Sequence, residues 1–309
     1  MYILGFAIGP LLLAPLSERY GRNPVYIWSW LLLVIFQIPL ALAPNIGTVI
    51  VCRLIQGFFG SAPLTNTGGT VSDLWARNES GGAMAIYGLS STFGPPIALV
   101  ISGYIALNKG WRWLFWVFMA ITGGVWVIMV VSMLPVIEDR ILTCDKITLP
   151  ETRHSILLQK KTNRIKRQLA KDGFKGTETI RDINDDEAKG LGTLFKITLT
   201  RPLRFLFTEP ITLASAIYNG FIYGLVYLFN EAFPLVFGQN HNFNTGEWGM
   251  AFLGLAVGSI IAAMLHPLQE RYYLKRVTEN DGKGIPEARM WMARGGAFLL
   301  PISLFWFAW

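Results

Sequence analysis

Long apolar runs separated by short polar stretches make up most of this sequence. A helix needs about 20 mostly apolar residues to cross roughly 30 Å of hydrocarbon. The first run is too short for a span, and no polar residue follows the last one, so we expect a chain truncated at both ends. The pattern gives eight candidate membrane-spanning helices, the first of them incomplete, over residues 1–16, 25–43, 48–71, 81–106, 112–134, 211–230, 248–268 and 290–309.

Composition supports an integral, multi-pass membrane protein. Hydrophobic residues occupy 52% of the 309 positions and charged residues only 15%, whereas roughly 25% of residues are charged in soluble domains. The net charge of +7 would favour nucleic acid as a partner of a soluble protein. In a membrane protein the location of the positive residues matters more than their sum, so we expect a lipid bilayer and no nucleic acid as partner.

The Lys and Arg residues fall almost entirely in alternate loops. About 23 of the 27 belong to one set of loops, as cytosolic loops do under the positive-inside rule. The other set holds only Lys109 and Arg112 and is predicted to be external. The basic, cytosolic set comprises 17–24, 72–80, 135–207 and 269–289, and the external set comprises 44–47, 107–112 and 230–247.

The long polar stretch 135–207 divides the chain into three parts. Residues 1–134 are predicted to form a five-span bundle and residues 208–309 a three-span bundle. The stretch between them is mixed in charge and poor in aromatic residues, so it predicts a cytosolic linker, partly helical over 153–171 and loose after it. A solvated linker is favoured over one whose basic residues contact anionic lipid.

Glycines recur at helical spacing in three of the predicted spans. Small residues four positions apart let helix backbones approach closely in lipid. They therefore predict helix packing in a bundle, and nothing more specific. The pairs are Gly5 with Gly9, Gly220 with Gly224, and Gly254 with Gly258.

The stretch "APLSERYGRNP" places an acid and two bases between the first two apolar runs. Gly21 permits backbone angles that other residues avoid, and Pro24 suits the first turn of the next helix. Arg19 and Arg22 favour the cytosolic side. Glu18 contributes little to orientation, so we expect it to pair with a basic residue or to face a helix N-terminus.

This stretch resembles the loop 2–3 signature of the major facilitator superfamily, in the form common in fungal drug–proton antiporters. The family pattern is Gly-x-Leu-small-Asp-Arg-x-Gly-Arg-basic, and here Ala14 replaces the first Gly and Asn23 the last basic residue. The resemblance implies that the loop gates the inner face between inward-open and outward-open states. The residues that match this pattern are Leu16, Ser17, Arg19, Gly21 and Arg22, and Glu18 stands in place of the Asp.

Further stretches resemble the same family in the same order. They are "RLIQGFFGSAP", "WRWLFW", "LPETR", "YGLVYLFNEAFPLVF" and "IPEAR". The resemblance covers almost the whole chain and implies spans two to nine of a twelve-span transporter. The expected fold is therefore an all-α, polytopic membrane helix bundle of the major facilitator type, truncated at its N- and C-terminal ends.

Two stretches depart from the family pattern. The span-five motif of the antiporters is present only in part, as Gly94, Pro95, Ser102 and Gly103. Ala98 and Leu99 stand at the positions of its second Gly-Pro. The motif is thought to seal the helix against proton leak, so the sequence does not establish that proton coupling is tight. Residues 136–148 occupy a place where the family usually has none, and they read as an insertion.

Arg53 is a charged residue within a predicted span. Such a residue costs at least about 2.5 kcal/mol on insertion scales and usually faces a cavity or a partner. The match to the fourth-span motif, Arg53 with Gln56 and Gly57, implies a role in proton coupling. The alternative is an arginine that reaches the outer interface or braces a neighbouring helix.

Glu231 interrupts the apolar run of the seventh span. It is predicted either to face the outer cavity, where it would carry a proton or attract a cation, or to be an ordinary interfacial residue. Four polar or aromatic residues at helical spacing share its face and suit an amphipathic drug or a polyamine, although helix packing is the favoured explanation. They are Asn219, Tyr223, Tyr227 and Asn230.

Asp73 ends the fourth span on the inner side. The resemblance implies that it pairs with a loop arginine, and Arg22 is the expected partner. The alternative is a solvated pair at the interface, worth under about 1 kcal/mol.

Motifs of enzymes are missing from the sequence. It contains no Gly-x-x-x-x-Gly-Lys-Ser/Thr and no His-Glu-x-x-His, so we expect no enzyme, no cofactor and no metal. The main hypothesis is a monomeric plasma-membrane transporter that exports drugs, polyamines or other organic small molecules in exchange for protons. The alternative is a truncated bundle, or a product of a faulty gene model, that has no transport activity.

Membrane topology is directly testable with introduced cysteines. In a version whose native cysteines are replaced, Asn242→Cys should react with an impermeant thiol reagent added outside the cell, whereas Lys166→Cys should not, because the Lys/Arg asymmetry places them on opposite sides. Labelling after permeabilisation controls for accessibility. The reverse labelling pattern would contradict the topology.

Overall fold

The computed structural model describes residues 1–75, 80–133, 191–280 and 284–308, together with Thr162 and Ile165. The described residues are mostly helical and include no β-strand, which confirms the all-α prediction. In chain order the helices are α1 (Tyr2–Tyr20), α2 (Arg22–Ile35), α3 (Gln37–Ala41), α4 (Ile46–Leu74), α5 (Ser80–Lys109), α6 (Trp111–Met133), α7 (Leu191–Thr208), α8 (Pro210–Phe233), α9 (Thr245–Ala251), α10 (Leu253–Glu279), α11 (Pro286–Arg289) and α12 (Trp291–Ala308).

Six segments of the described chain are long and apolar enough to cross a membrane. They correspond to the second through seventh of the eight predicted spans. The first and last predicted spans form α1 and α12, which are helical but are not among the six. The six are Arg22–Ala41, Ile46–Leu74, Ser80–Lys109, Trp111–Ser132, Pro210–Asn240 and Thr245–Glu279.

The chain divides into two compact units. The first comprises Met1–Leu74 and Ser102–Trp248, and the second comprises Trp75–Ile101 and Gly249–Trp309. The first unit holds α1 to α4 and α6 to α8. The second holds most of α5 and the helices from α10 onward.

Helix α1 lies against α4 at backbone-to-backbone distance. A Cβ atom added at Gly5 would collide with the carbonyl oxygen of Leu54, and one added at Gly57 would collide with the carbonyl oxygen of Tyr2. Gly9 is equally close to the side chain of Ser61. The Gly5–Gly9 pair therefore acts in packing as predicted, because only glycine leaves room for this approach.

The other two glycine pairs do not pack in this way. A Cβ atom at Gly220, Gly224, Gly254 or Gly258 would meet no heavy atom within 4 Å in the part of the chain that the structure describes. The packing prediction is wrong for these pairs within the described residues. Spacing alone shows which glycines share a helix face, but it does not show what that face meets.

Side-chain hydrogen bonds join α2 and α3 to α6. The indole Nε1 of Trp30 donates to the carbonyl oxygen of Thr122 at 2.9 Å, and that of Trp126 donates to the carbonyl oxygen of Ile27 at 3.1 Å. Gln37 Nε2 donates to Thr122 Oγ1 at 3.0 Å. These bonds satisfy polar groups inside an apolar bundle, where an unpaired one costs several kcal/mol.

Several loops are shorter than the sequence predicts. Within the predicted loop 17–24, only Gly21 separates α1 from α2. The loop predicted over 269–289 loses its first half to α10, and the stretch expected to be loose after residue 171 contains α7. Hydropathy reports the part of a helix that lies in lipid, whereas its hydrogen bonds continue for as long as the backbone permits. The expected helix over 153–171 lies outside the described residues, apart from Thr162 and Ile165.

The end of the seventh span has unusual helical geometry. Beyond Phe233 the chain continues as a π-helical segment, Pro234–Asn240, so most of the predicted external loop 230–247 is helical. Pro234 lacks a backbone N–H and removes one α-helical hydrogen bond. A π-helix is rare, and single turns of it occur frequently at functional sites.

In the second unit, Gln269 joins α10 to the two helices that follow it. Its Nε2 donates to the carbonyl oxygen of Ala288 at 2.7 Å, and its Oε1 accepts from the backbone N–H of Met292 at 3.1 Å. The Gln269 side chain is buried. It thereby satisfies a donor at the start of α12 that has no partner within that helix.

Gly5→Ala should lower the stability of the protein, because its Cβ would force α1 away from α4. Overpacking of this kind costs about 1–3 kcal/mol. Gly220→Ala is the matched control, since it makes the same change on a helix face with open space. Thermal unfolding in detergent measures the stability of the two purified variants. Equal unfolding temperatures for Gly5→Ala and Gly220→Ala would show that the α1–α4 contact does not limit stability.

Candidate functional site

Gly21 alone forms the joint between α1 and α2. Its φ is 100° and its ψ is 161°, a backbone region that is essentially restricted to glycine. The residue is buried, and Pro24 lies in the first turn of α2, as predicted. The backbone angle expected of Gly21 from the sequence is therefore present.

Arg22 and Asp73 form a buried ion pair directly after this joint. Arg22 Nη2 lies 2.8 Å from Asp73 Oδ2, and Nε donates to the same oxygen at 2.9 Å. The side chains are 8% and 18% exposed, so this is not the solvated pair that was the alternative. The pairing expected between these two residues is present, and it connects the start of α2 to the end of α4.

The surroundings of Arg22 fit its guanidinium closely. A Cβ atom at Gly69 would lie 2.5 Å from Nη1, so a larger residue there would displace the arginine. Nη1 also donates to the carbonyl oxygen of Asn66 at 3.1 Å. Ser17 Oγ on α1 lies 3.3 Å from Asn66 Oδ1. Three helices therefore meet around a single charge.

Glu18 does not join this cluster within the described residues. It is exposed, and none of the ion pairs in the described chain includes it. Arg19 is also exposed, and Leu16 is partly buried. The loop motif therefore divides into a buried part, Ser17, Gly21 and Arg22, and an exposed part, Glu18 and Arg19.

Arg53 lies on α4 against an aromatic ring. Its Cζ is 5.0 Å from the centroid of Phe115 on α6, and a guanidinium over a ring face is attracted by the ring quadrupole. Tyr2 on α1 lies within electrostatic range of Arg53 and of Tyr227. No carboxylate pairs with Arg53 in the described chain, so an aromatic surface holds this charge.

Gln56 lies one helical turn further along α4. It is buried, and its Nε2 donates to the carbonyl oxygen of Leu33 on α2 at 3.4 Å. This bond holds α2 against α4 close to Arg53. Gln56 thus contributes to the packing of α2 against α4.

Glu231 and the polar stripe lie on α8. Glu231, Asn219, Tyr223 and Tyr227 are exposed, and Asn230 is partly exposed. Asn219 Nδ2 donates to the carbonyl oxygen of Ser215 within the same helix at 2.9 Å. Within the described residues the stripe is not buried between helices, and no ion pair connects Glu231 to Arg53.

The span-five motif residues lie along α5, which continues as a helix through Pro95. Gly94 has open space around it in the described chain, whereas a Cβ atom at Gly103 would lie 2.6 Å from the carbonyl oxygen of Thr245. Gly103 thus allows α5 to approach the start of α9. Gly94 and Pro95 belong to the second unit, and Ser102 and Gly103 to the first.

Sequence reasoning missed a contact of Glu270 in the second unit. A Cβ atom at Gly81 would lie 2.5 Å from both carboxylate oxygens of Glu270 on α10. Gly81 is in the first turn of α5, where an acid interacts favourably with the helix dipole. The nearby His266 Nε2 is 3.9 Å from Glu270 Oε2. The sequence signal was the stretch "HPLQER", which resembles "APLSER" at residues 14–19.

Comparison with known proteins identifies the family. A family model described as Major Facilitator Superfamily matches residues 1–309. The chain belongs to the major facilitator superfamily, a class of membrane transporters, and this confirms the resemblance seen in its motifs. No solved structure matches the chain significantly.

Its relatives include several fungal transporters. The chain is 38% identical over 309 residues to a transporter named paaT of Penicillium rubens, covering 100% of this chain and 52% of that protein. It is 36% identical over 309 residues to the MFS-type efflux pump MFS2 of Trichophyton rubrum, covering 100% and 48%. It is 32% identical over 309 residues to the efflux pump FUB11 of Gibberella fujikuroi, covering 100% of this chain and 50% of that protein. The chain thus spans about half the length of these relatives.

Asp73→Asn should destabilise the protein strongly, because it leaves the buried Arg22 without a counter-charge. Breaking a buried ion pair in this way costs about 3–5 kcal/mol. Glu18→Gln is the matched control: it also removes one acid from this region, but an exposed one, and it should change stability by less than about 0.5 kcal/mol. Chemical unfolding in detergent compares them, and similar losses would contradict the assignment of Asp73 as the partner.

Proposed function

We propose that this protein is a proton-coupled antiporter that exports organic small molecules, such as drugs or polyamines, by alternating access. The observation that carries the proposal is the buried Arg22–Asp73 pair beside the Gly21 joint. Membership of a transporter superfamily and relatives named efflux pumps support the same conclusion. A monomer in the plasma membrane is part of the proposal.

The buried pair suits a gate because its energy is finely balanced. Moving two charges out of water costs several kcal/mol per ion, and their attraction offsets this only while the geometry is good. A small rotation of α2 about Gly21 would therefore break the pair and let water reach both groups. Such a contact would have a closed and an open arrangement, as a switching element requires. The contact between Glu270 on α10 and Gly81 at the start of α5 is proposed as a second gate contact.

Arg53 and Glu231 are proposed to couple protons to transport. Arg53 is held by an aromatic ring and has no carboxylate partner among the described residues, so it remains available to stabilise a carboxylate or a water chain in the cavity. Glu231 is an exposed acid on a membrane-spanning helix, and ionisable residues there mark ion or substrate pathways by default. The two would act in different parts of the transport cycle.

The stripe on α8 is proposed to contact the substrate. The phenol rings of Tyr223 and Tyr227 offer flat apolar surface with hydroxyl groups, and Asn219 and Asn230 offer amide groups. Tyrosine faces attract organic cations, and Glu231 at the end of the stripe adds a negative charge. This combination fits an amphipathic cation or a polyamine better than an anion.

Proton-driven flux in vesicles tests the function directly. Radiolabelled spermidine and a fluorescent cationic dye should accumulate in protein-containing vesicles whose interior is acidic, and a protonophore should abolish the accumulation. The chain of 309 residues should be tested beside a version extended to the length of its relatives. Absence of proton-dependent flux of any tested cation in both versions would contradict the proposal.

Gly21→Val should abolish this flux, because a branched residue cannot adopt the backbone angles of the joint without strain. Gly110→Val is the matched control, since Gly110 also has a positive φ, 85°, and also joins two helices, but it lies away from the ion pair. Both variants place a branched residue at a positive φ. Equal flux in the two, at equal expression, would mean that the Gly21 joint has no special role in gating.

Arg53→Ala should abolish proton-driven flux while leaving substrate binding largely intact. Arg53→Lys should recover part of the flux with an altered pH dependence, because lysine retains the charge and loses the planar guanidinium. A purely structural arginine would behave differently: both variants would express poorly, and surviving protein would show the normal pH dependence. Full proton-driven flux in Arg53→Ala would rule out the coupling role.

A further inference from the structure

A small cavity lies where α10 ends and α11 and α12 begin. Its volume is about 250 Å³, and its walls include Tyr272, Arg276, Glu287, Trp291 and Arg294. All of these residues belong to the second unit. The proposed transport function uses none of them, and Arg294 lies inside the span predicted over 290–309.

A pair of stacked aromatic rings forms one wall. The ring centroids of Tyr272 and Trp291 are 5.1 Å apart, with an angle of 26° between their planes. Arg276 Nε lies 3.3 Å from the hydroxyl oxygen of Tyr272, to which it donates. The wall therefore also fixes one guanidinium at the cavity.

The positive charges of the two arginines in the cavity are only weakly compensated by acidic residues of the described chain. Arg276 Nη1 is 3.4 Å from Glu279 Oε2, and both side chains are about half exposed, so this pair is weak. In the described part of the chain, the side chain of Arg294 makes no hydrogen bond or ion pair. Guanidinium groups recognise phosphate through parallel N–H donors, and here two of them line a single cavity.

One acidic side chain makes the cavity more selective. The carboxylate of Glu287 would repel a simple phosphate, but it would attract an ammonium group attached to that phosphate. The stacked rings would also attract an ammonium group through their faces. The chemistry therefore suits a ligand that carries a phosphate and a primary amine a few bonds apart.

The position of the cavity indicates where such a ligand comes from. Trp291 begins α12, whose later residues include exposed apolar side chains such as Phe298 and Ile302. Trp and Tyr are enriched at the boundary between lipid and water. The stretch 269–289, which includes the end of α10, belongs to the basic set predicted to be cytosolic. Basic pockets between helices on that side bind lipid head groups.

We propose that this cavity binds the head group of an aminophospholipid, in particular phosphatidylserine, from the cytosolic leaflet. Two arginines against one glutamate leave the cavity lining with an excess of positive charge, which matches the anionic head group of phosphatidylserine better than the neutral head group of phosphatidylethanolamine. Arg276 and Arg294 hold the phosphate and the carboxylate of that head group. Glu287 and the Tyr272–Trp291 wall receive the ammonium group. The acyl chains lie along the apolar surface of α12, so the lipid ties the loop between α10 and α12 to the membrane.

Native mass spectrometry of the purified protein, supplied with single lipids in detergent, tests the proposal. Phosphatidylserine should bind more tightly than phosphatidylglycerol, which is anionic but has no amine, and more tightly than phosphatidylethanolamine, which has the amine but no net charge. Phosphatidylcholine, which is neutral and has no N–H donor, should bind most weakly. The double variant Arg276→Gln with Arg294→Gln should weaken phosphatidylserine binding roughly thirtyfold, since each basic residue near an anionic surface contributes a factor of about five. Glu287→Gln should remove the preference for phosphatidylserine over phosphatidylglycerol.

A matched double variant, Arg271→Gln with Lys275→Gln, makes the same change in charge on α10 outside the cavity, and it should bind phosphatidylserine nearly as the wild type does. Equal loss in both double variants would show a diffuse charge effect and overturn the proposal, as would no loss in either. Competition with soluble glycerophosphoserine distinguishes a lipid from a soluble ligand. If it displaces phosphatidylserine completely at an equal concentration, the cavity binds a soluble phosphate ester, which would overturn the proposal of a lipid site. If the double variant fails to fold, Arg294→Gln alone should still weaken binding about fivefold, and unchanged binding would overturn the proposal.

Discussion

The contact of backbone with backbone between α1 and α4 is the constraint on which the first unit depends. In lipid there is little hydrophobic gain from joining two apolar helices, so their attraction comes from close packing and from hydrogen bonds. Gly5 and Gly57 each present a bare backbone to a carbonyl oxygen of the other helix. This close approach places Ser17 beside Asn66, so the C-terminal end of α1 lies against the C-terminal part of α4. The position of Arg22 then follows from the single residue that separates α1 from α2.

The charged groups of this protein are held in different ways. Arg22 is enclosed, with a counter-charge and a carbonyl oxygen, whereas Arg53 rests on a ring and has no acid beside it in the described chain. Arg276 and Arg294 line a cavity where α10 ends and α11 and α12 begin, the site proposed for a lipid head group. A buried pair is sensitive to geometry, a charge on a ring keeps its donors available, and an interfacial charge responds to lipid. The three settings suit a gate, a coupling residue and a lipid contact respectively.

Sequence patterns predicted the spans well, because about 20 apolar residues in a row have few other structural outcomes. They also predicted the Gly21 turn and the Arg22–Asp73 pair, the latter only because the loop resembled a known family. Sequence patterns failed to predict contacts that depend on which helix lies next to a residue. Gly5 and Gly220 have the same local pattern, yet one meets a carbonyl oxygen and the other meets open space. Gln269 and Glu270 looked like ordinary loop residues, because α10 continues beyond its apolar part.

The π-helical turn after Phe233 has a consequence for how this span can change in evolution. A π-helical turn contains one residue more than the α-helical turn it replaces. Deleting one residue from Pro234–Asn240 would return the segment to α-helical geometry without altering the helix before it. The later side chains would keep nearly the same orientation relative to Glu231, because the wider turn absorbs the extra residue. A single codon can therefore be gained or lost here without changing which residues of this rim face the same way as the acid.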